Sequence, residues 1–263
     1  MLRTIAMLVT MQMRSQMEYR AAFFVDRVAQ MIAYGAAFAA IWILLERFGD
    51  LGGWHWPEIA LLLSIQLLAY SIGSALSFVQ FRDFEELVRR GTLDSLLVKP
   101  FSPWAYIAFS GLNVGYAGHI ALGAGLLVWA LGAVDVAPGV ANLAYLAGAM
   151  VSASMFFAAL LTIIGASAMV FVQSGYLYSV FFGLWELTRY PLHIYPAPLQ
   201  GLLIAVIPLA FGSFVPAAVY LGQPVPFLGP LAGPVSLAVG PVAALLARFV
   251  WQRMLAGYQG AGG

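Results

Sequence analysis

Residues 28–45 and 59–79 form two apolar runs, and further runs of the same kind fill most of the remaining chain. A helix needs about 20 apolar residues to cross the roughly 30 Å hydrocarbon core of a bilayer. Runs of this length and frequency leave little besides a bundle of transmembrane helices. Composition agrees, with 62% hydrophobic and 9% charged residues, where a soluble domain carries about a quarter charged. The chain therefore reads as an all-α polytopic membrane protein. Its net charge of +1 comes from basic residues too few and too scattered to neutralise a phosphate backbone, so nucleic acid is not an expected partner. The sequence has no cysteine, which removes disulfide and thiolate chemistry and leaves only His or carboxylate as metal ligands.

In order, residues 1–20 place Leu2, Ile5, Val9, Met13 and Met17 on one helical face, with Arg3, Gln12, Arg14, Gln16, Glu18 and Arg20 around the other. That pattern predicts an amphipathic interfacial helix. A cleavable signal peptide is not expected, because Thr10, Gln12 and Arg14 break the first apolar run. Asp26 and Arg27 mark the membrane edge, and residues 28–45 give span one. A loop at 46–58 with two interfacial Trp leads to span two at 59–79, where Gln66 is the main polar residue. Span three is expected over 104–131 as one helix, with Gly111 and Gly115 forming a G-x-x-x-G pair for close helix approach. The loop at 132–139 holds Asp135 and Pro138. Span four lies within 143–171, Gln173, Ser174 and Gly175 make a return turn, and a short span five covers 176–190.

Residues 191–234 contain nine prolines and two apolar pieces, 201–214 and 216–221, each too short to cross. They predict a re-entrant or interfacial helical hairpin on the outer side. Span six is expected over 235–250, followed by Arg253 and a glycine-rich tail. The whole chain, 1–263, reads as one transmembrane domain. With both termini cytoplasmic, ten Lys and Arg fall inside and only Arg47 and Arg189 outside, a clear positive-inside bias.

That orientation puts residues 80–104, QFRDFEELVRRGTLDSLLVKPFSPW, in the cytoplasm. The stretch holds eight of the chain's 23 charged side chains (12 Lys and Arg, 11 Asp and Glu). Phe81, Phe84, Leu87 and Val88 recur at helical spacing, with Arg82, Asp83, Glu85, Glu86 and Arg89 on the remaining faces. Gly91 is expected to stop this helix, Thr92 to cap a second one over 93–99, and Pro100 to end it. The unit would present a charged, shaped surface outside the bilayer. A solvated loop whose charges serve only as a topology signal is the plainer alternative.

The run from Gly91 to Pro100, GTLDSLLVKP, resembles the G-T-L-(D/E)-x-L-L-x-x-P signature of the type-two ATP-binding-cassette (ABC) exporter permeases, found there after the second span. Residues 174–196, the segments IPLAF and PAAVYLG, and the terminal GYQGAGG also resemble the uncharacterised permease branch of that family. The resemblance implies a coupling helix in 80–104 that sits in a cleft of a separate ATPase, with Glu86, Arg89, Gly91, Thr92, Leu93, Asp94, Leu96, Leu97 and Pro100 as the ATPase-coupling residues. It further implies two ATPase subunits, which bind the ATP and Mg, and a second permease, identical or homologous. The path would lie at the permease interface in the inner membrane of a bacterium.

The remaining chemistry is sparse. There is no G-x-x-x-x-G-K-[ST] loop, and the only lysine, Lys99, precedes a proline, so the chain is not expected to bind or hydrolyse ATP itself. No H-E-x-x-H, no G-x-S-x-G and no carboxylate pair at acid–base spacing is present, so neither a catalytic residue nor a metal site is expected. Glu186 and Arg189 stand three apart and can pair, either lining a translocation path or fixing span five against its neighbours. Tyr178 and Phe182 could contact an amphiphilic cargo, with helix packing as the alternative. His119, alone in mid-span three, reads either as a relay or ligand, or as a histidine hydrogen-bonded to a neighbouring helix. The sparse charge of the spans points to an amphiphilic or apolar cargo such as a lipid, drug or peptide-like metabolite. An ion-coupled secondary transporter would need acidic groups near the midplane, and a membrane enzyme or scaffold a clustered polar site or another kind of partner.

Overall fold

A computed structural model of the protein describes residues 2–16, 18, 20–136, 139–171 and 174–258. In chain order the helices are α1 (Leu2–Gln16), α2 (Arg20–Phe48), α3 (Trp56–Ala75), α4 (Phe78–Arg82), α5 (Phe84–Arg89), α6 (Thr92–Leu97) and α7 (Pro103–Ser110). They continue with α8 (Ala117–Ala133), α9 (Val140–Ala166), α10 (Gly175–Leu187), α11 (Ala197–Gly201), α12 (Phe214–Tyr220) and α13 (Ala232–Ala256). Among the described residues there is no strand, only an isolated bridge between Leu51 and Trp54. Met17, Pro138, Gln173 and the tail from Gln259 lie outside the described residues.

Among the described residues five helical segments, α2, α3, α8 together with the turn at Val114–Tyr116 before it, α9 and α13, are long and apolar enough to cross a membrane. The fifth span expected from sequence is α10, whose 13 residues extend only about 20 Å at helical rise. The centre of the bundle is α3, with 83% of its most apolar window buried, against 17% for α2 and 22% for α13. In lipid, apolar side chains gain little by leaving the solvent, so helix association relies on close backbone approach. Gly73 of α3 supplies it against α9, where an added Cβ would stand 2.5 Å from the Ser154 carbonyl oxygen. Gly240 supplies it between α13 and α9, its space taken by the backbone of Ser152. Pro241 follows within α13 and cannot donate a hydrogen bond. The neighbouring Gly240 N–H donates across to the Ser152 hydroxyl at 2.9 Å.

Span three departs from expectation. The apolar run is divided into α7 and α8, separated by a break at Gly111–Asn113 and a 3₁₀ turn at Val114–Tyr116. Gly111 and Gly115 therefore do not share a helix face. Each still permits a close approach, but by the side chains of Gln80 and Arg27 respectively rather than by another helix backbone. The freed backbone groups are taken up elsewhere. The Asn113 N–H donates to the Ala75 carbonyl at 2.9 Å, and the amide of Gln16, the last residue of α1, donates to the Leu112 carbonyl (2.6 Å) and accepts from the Val114 N–H (3.0 Å).

The proline-rich stretch after α10 is a series of short pieces. α11 runs on into a π turn at Leu202–Val206, and a 3₁₀ turn at Leu209–Gly212 precedes α12. Apart from Val219, every residue of α12 is buried, packed among α3, α9 and α13. The Ser213 hydroxyl donates to the Thr188 carbonyl at 2.9 Å, tying this stretch to the end of α10.

Candidate functional site

The polar island forms three short helices, α4 to α6, and leads into α7, standing at the same end of the bundle as α1. Its first expected helix is two, because the chain turns at Asp83 between α4 and α5. The apolar spacing nevertheless works as read. Phe81 and Phe84 are fully buried, and they join Leu93, Leu96, Ile107, Ala166, Ala168 and Trp251 in a second core, separate from the main one, with Leu87 and Val88 packed at its margin. Trp251 of α13 meets Phe84 at 5.3 Å and Phe81 at 5.8 Å between ring centroids. Gly165 lets Phe81 settle onto the end of α9, where a Cβ would stand 2.5 Å from the Cβ of Phe81. The island is thus a packed body, which a merely solvated loop would not be.

Gly91 ends the α5 piece as expected, and its φ of 68° explains why a glycine stands there. The same residue, not Thr92, precedes the first turn of α6. Thr92 is already inside the helix, and no side-chain cap is formed. Leu93 and Leu96 are buried in the second core, so they hold the surface in shape instead of standing on it. Among the residues the unit exposes are Arg89, Arg90, Thr92, Leu97, Val98 and Pro100, with Glu86 and Asp94 half-buried beside them. Val98, 84% exposed, is the most accessible large apolar side chain here and was not singled out by spacing or motif. Glu86 is held by Arg90 and Arg89, which keep its carboxyl below the usual carboxylate range. Lys99 lies over the Tyr106 ring at 4.5 Å. Between these helices and Gln12 of α1 lies a cleft of about 940 Å³, lined among others by Arg82, Glu85, Glu86 and Arg90.

One residue that sequence reasoning passed over joins this unit to the bundle. An oxygen of Glu85 accepts hydrogen bonds from the Ser174 N–H (2.9 Å), the Ser174 hydroxyl (3.2 Å) and the Gly175 N–H (3.1 Å). A carboxylate in that place satisfies the free donors of the first turn of α10 and complements its positive end. The other end of α10 is also fastened. The Gln66 amide donates to the Trp185 carbonyl (3.0 Å) and the Thr188 hydroxyl (2.7 Å).

Glu186 and Arg189 pair at 2.8 Å, as their spacing predicted. The guanidinium is mostly buried and lies 5.4 Å from the centre of the Trp185 ring, while the carboxylate is half exposed. Glu186 shares its open face of α10 with Tyr176, Ser179, Val180 and Gly183. Tyr178 is on the opposite side. It is buried, its hydroxyl donates to the Leu161 carbonyl at 3.4 Å, and so it cannot meet a cargo outside the protomer. Phe182 is half-buried among Phe78, Tyr70 and Trp185. His119 is fixed by aromatic edges, Tyr34 at 4.6 Å and Tyr116 at 5.5 Å, and its Nδ1 has no hydrogen-bond partner. His55 is 3.7 Å from Glu58, and His193 contacts the Gly52 carbonyl, both at the opposite end of the bundle from the island. Among the described residues no group of His and carboxylates could hold a metal.

A family model described as ABC-2 family transporter protein matches residues 31–262, nearly the whole chain. No curated protein and no solved structure matches.

Proposed function

Because the chain belongs to the ABC-2 family of membrane transporters, we propose that it is the permease subunit of an ATP-driven exporter, worked by a separate ATPase that docks on α5 and α6. The observation that carries this reading is the island's construction. It has its own core (Phe81, Phe84, Leu93, Leu96), it exposes a charged and apolar tip, and it is bonded through Glu85 to the first turn of α10. A push on Glu86, Arg89, Asp94, Leu97 or Val98 would move a body instead of deforming a loop. Gly91, Thr92 and Pro100 set the shape of that tip, and Leu93 and Leu96 its rigidity.

ATP and Mg would bind in two ATPase subunits, beneath two permeases that are either identical or homologous. Closure of the ATPases would drive both islands together and exchange inward- and outward-facing packings. α10 with the 191–234 hairpin would complete a sixth crossing, with the hairpin re-entrant from the outer side and both termini in the cytoplasm of a bacterial cell. Glu186 and Phe182 would border the path, with Arg189 holding Glu186 in place. The sparse charge of the spans favours an amphiphilic or apolar cargo, a lipid, drug or peptide-like metabolite.

Purifying the protein and asking whether an ATPase subunit comes with it tests the reading. The ATPase should be retained by the wild type and lost with Glu86→Ala or Asp94→Arg, while the amount of folded permease is unchanged. Retention by both variants, or failure of the wild type to bind an ATPase, refutes it.

A further inference from the structure

A cavity of about 600 Å³ opens where the two ends of the island meet the bundle. Its edges are the corner after α3 (Leu76, Ser77) and the start of α7 (Ser102, Trp104), and its walls come from α9 and α13. Three hydroxyls line it, and all are engaged with their own chain. Ser77 donates to the Gly73 carbonyl (2.7 Å), Thr162 donates to the Ala158 carbonyl (2.8 Å), and Ser102 accepts from the Ala105 N–H (3.4 Å). With Met155, Ala158, Ala159 and Ala247 between them, the wall offered to a guest is apolar.

The rim differs. Arg248 and Gln252 stand there beside the half-exposed Trp104, and no acidic side chain is among the described lining residues. Arg248 has no carboxylate, hydrogen-bond or ring partner among the described residues. In contrast, Arg82, Arg89, Arg90 and Arg189 each hold a carboxylate, and Arg253 lies over the Phe249 ring. An apolar slot topped by a free guanidinium and a half-exposed Trp, between the C-terminal halves of two helices long and apolar enough to cross a membrane, matches a lipid in chemistry. The floor is Trp251, the residue against which Phe81 and Phe84 of the island pack.

We propose that this cavity holds an acyl chain of an anionic phospholipid of the cytoplasmic leaflet, with the lipid phosphate on Arg248 and Gln252, and that its occupancy braces the island. The leaflet assignment rests on the orientation given above. The headgroup preference and the bracing rest on Arg248 and Trp251 alone. An empty slot leaves the island's two corners and Trp251 unsupported on one side, whereas a chain in it packs against all three.

The test uses the full-length protein in nanodiscs made of equal parts phosphatidylglycerol and phosphatidylcholine, extracted and examined by native mass spectrometry. The wild type should retain phosphatidylglycerol over phosphatidylcholine by about fivefold, the weight of one basic side chain at an anionic surface. Arg248→Gln should abolish the preference, Arg253→Gln should keep it, and Ala158→Phe, which fills the slot, should lower retention of both lipids. Hydrogen exchange in α5 and α6 should be slower in phosphatidylglycerol than in phosphatidylcholine for the wild type, but equal for Arg248→Gln. Equal retention of the two lipids by the wild type, the same loss with Arg253→Gln as with Arg248→Gln, undiminished retention by Ala158→Phe, or lipid-independent exchange overturns the proposal. No ATPase or export enters these measurements, so they stand apart from the proposed function. Gln252→Cys, the only cysteine such a variant would contain, reports the leaflet separately through its reaction with an impermeant maleimide.

Discussion

Replacing Glu85 with Ala removes the acceptor for three donors at the start of α10. Two of them belong to Ser174, which is 1% exposed with Glu85 in place and is rehydrated less readily than the exposed Gly175 N–H. Hydrogen bonds to a charged group contribute about 1.5–3 kcal/mol each, but three that share one oxygen do not add, and loss of a helix N-terminal acceptor costs up to about 2 kcal/mol. We take ~2 kcal/mol, which raises the opening equilibrium of that turn about thirtyfold. Hydrogen exchange followed by mass spectrometry reads this directly, since amides that exchange through local opening speed up in the same ratio. Exchange over Ser174–Tyr178 should accelerate about thirtyfold in Glu85→Ala, less in Glu85→Gln, and not at all in the middle of α9. In the assembled transporter the same variant should keep its ATPase but export poorly. Acceleration of less than ~threefold, or a uniform acceleration through α9, would show that the carboxylate does not hold α10.

Three other outcomes follow from the geometry. Gly240→Ala places a methyl group against the Ser152 backbone, which cannot withdraw. It should destabilise the protein by about 3 kcal/mol, seen as a lowered Tm in detergent, and an unchanged Tm would contradict the close α9–α13 seam. Glu186→Gln keeps the shape of the half-exposed partner of Arg189 and should reduce export at a normal level of assembled protein. Equal losses of export and assembly would assign the pair to structure alone. Because Arg90 and Arg89 depress the Glu86 carboxyl below its ordinary 4.5, the triad persists above that value and is lost only as pH falls through the lower one. Binding of the ATPase should therefore be flat from pH 8 to 5.5, and a midpoint within that window, as a scan of retained ATPase would reveal, contradicts the triad.

Much of this architecture is legible in the sequence because lipid makes hydropathy decisive. The run 59–79 enters the bundle as α3, although that helix ends at Ala75 and Phe78 and Val79 already belong to α4, and Phe81 and Phe84 at helical spacing announce a buried face even in a charged segment. The break in span three is not legible, since α7 and α8 are equally apolar and the groups that satisfy the break, Gln16 and Ala75, are distant in sequence. The same holds for Glu85, one of several acidic residues in its segment, marked out only by Ser174 and Gly175, which are 89 and 90 residues away. The departure at Thr92 has a local reason. A threonine after glycine looks like an N-cap, but the left-handed φ of Gly91 already starts the turn. Tyr178 and Phe182 share the aromatic composition of an exposed and a buried face alike, and only the rotation of α10 against α9 separates them.

The interruption between α7 and α8 has a mechanical corollary. A continuous helix carries torque along its whole length, but two helices joined through Gly111–Asn113 do not. Under the proposed function, the joint, held by Gln16 from outside both helices, would let α7 move with the island while α8 keeps its place in the bundle. In the proposed cycle the work of a stroke would then be steered away from α8 and toward α10, the helix that Glu85 holds.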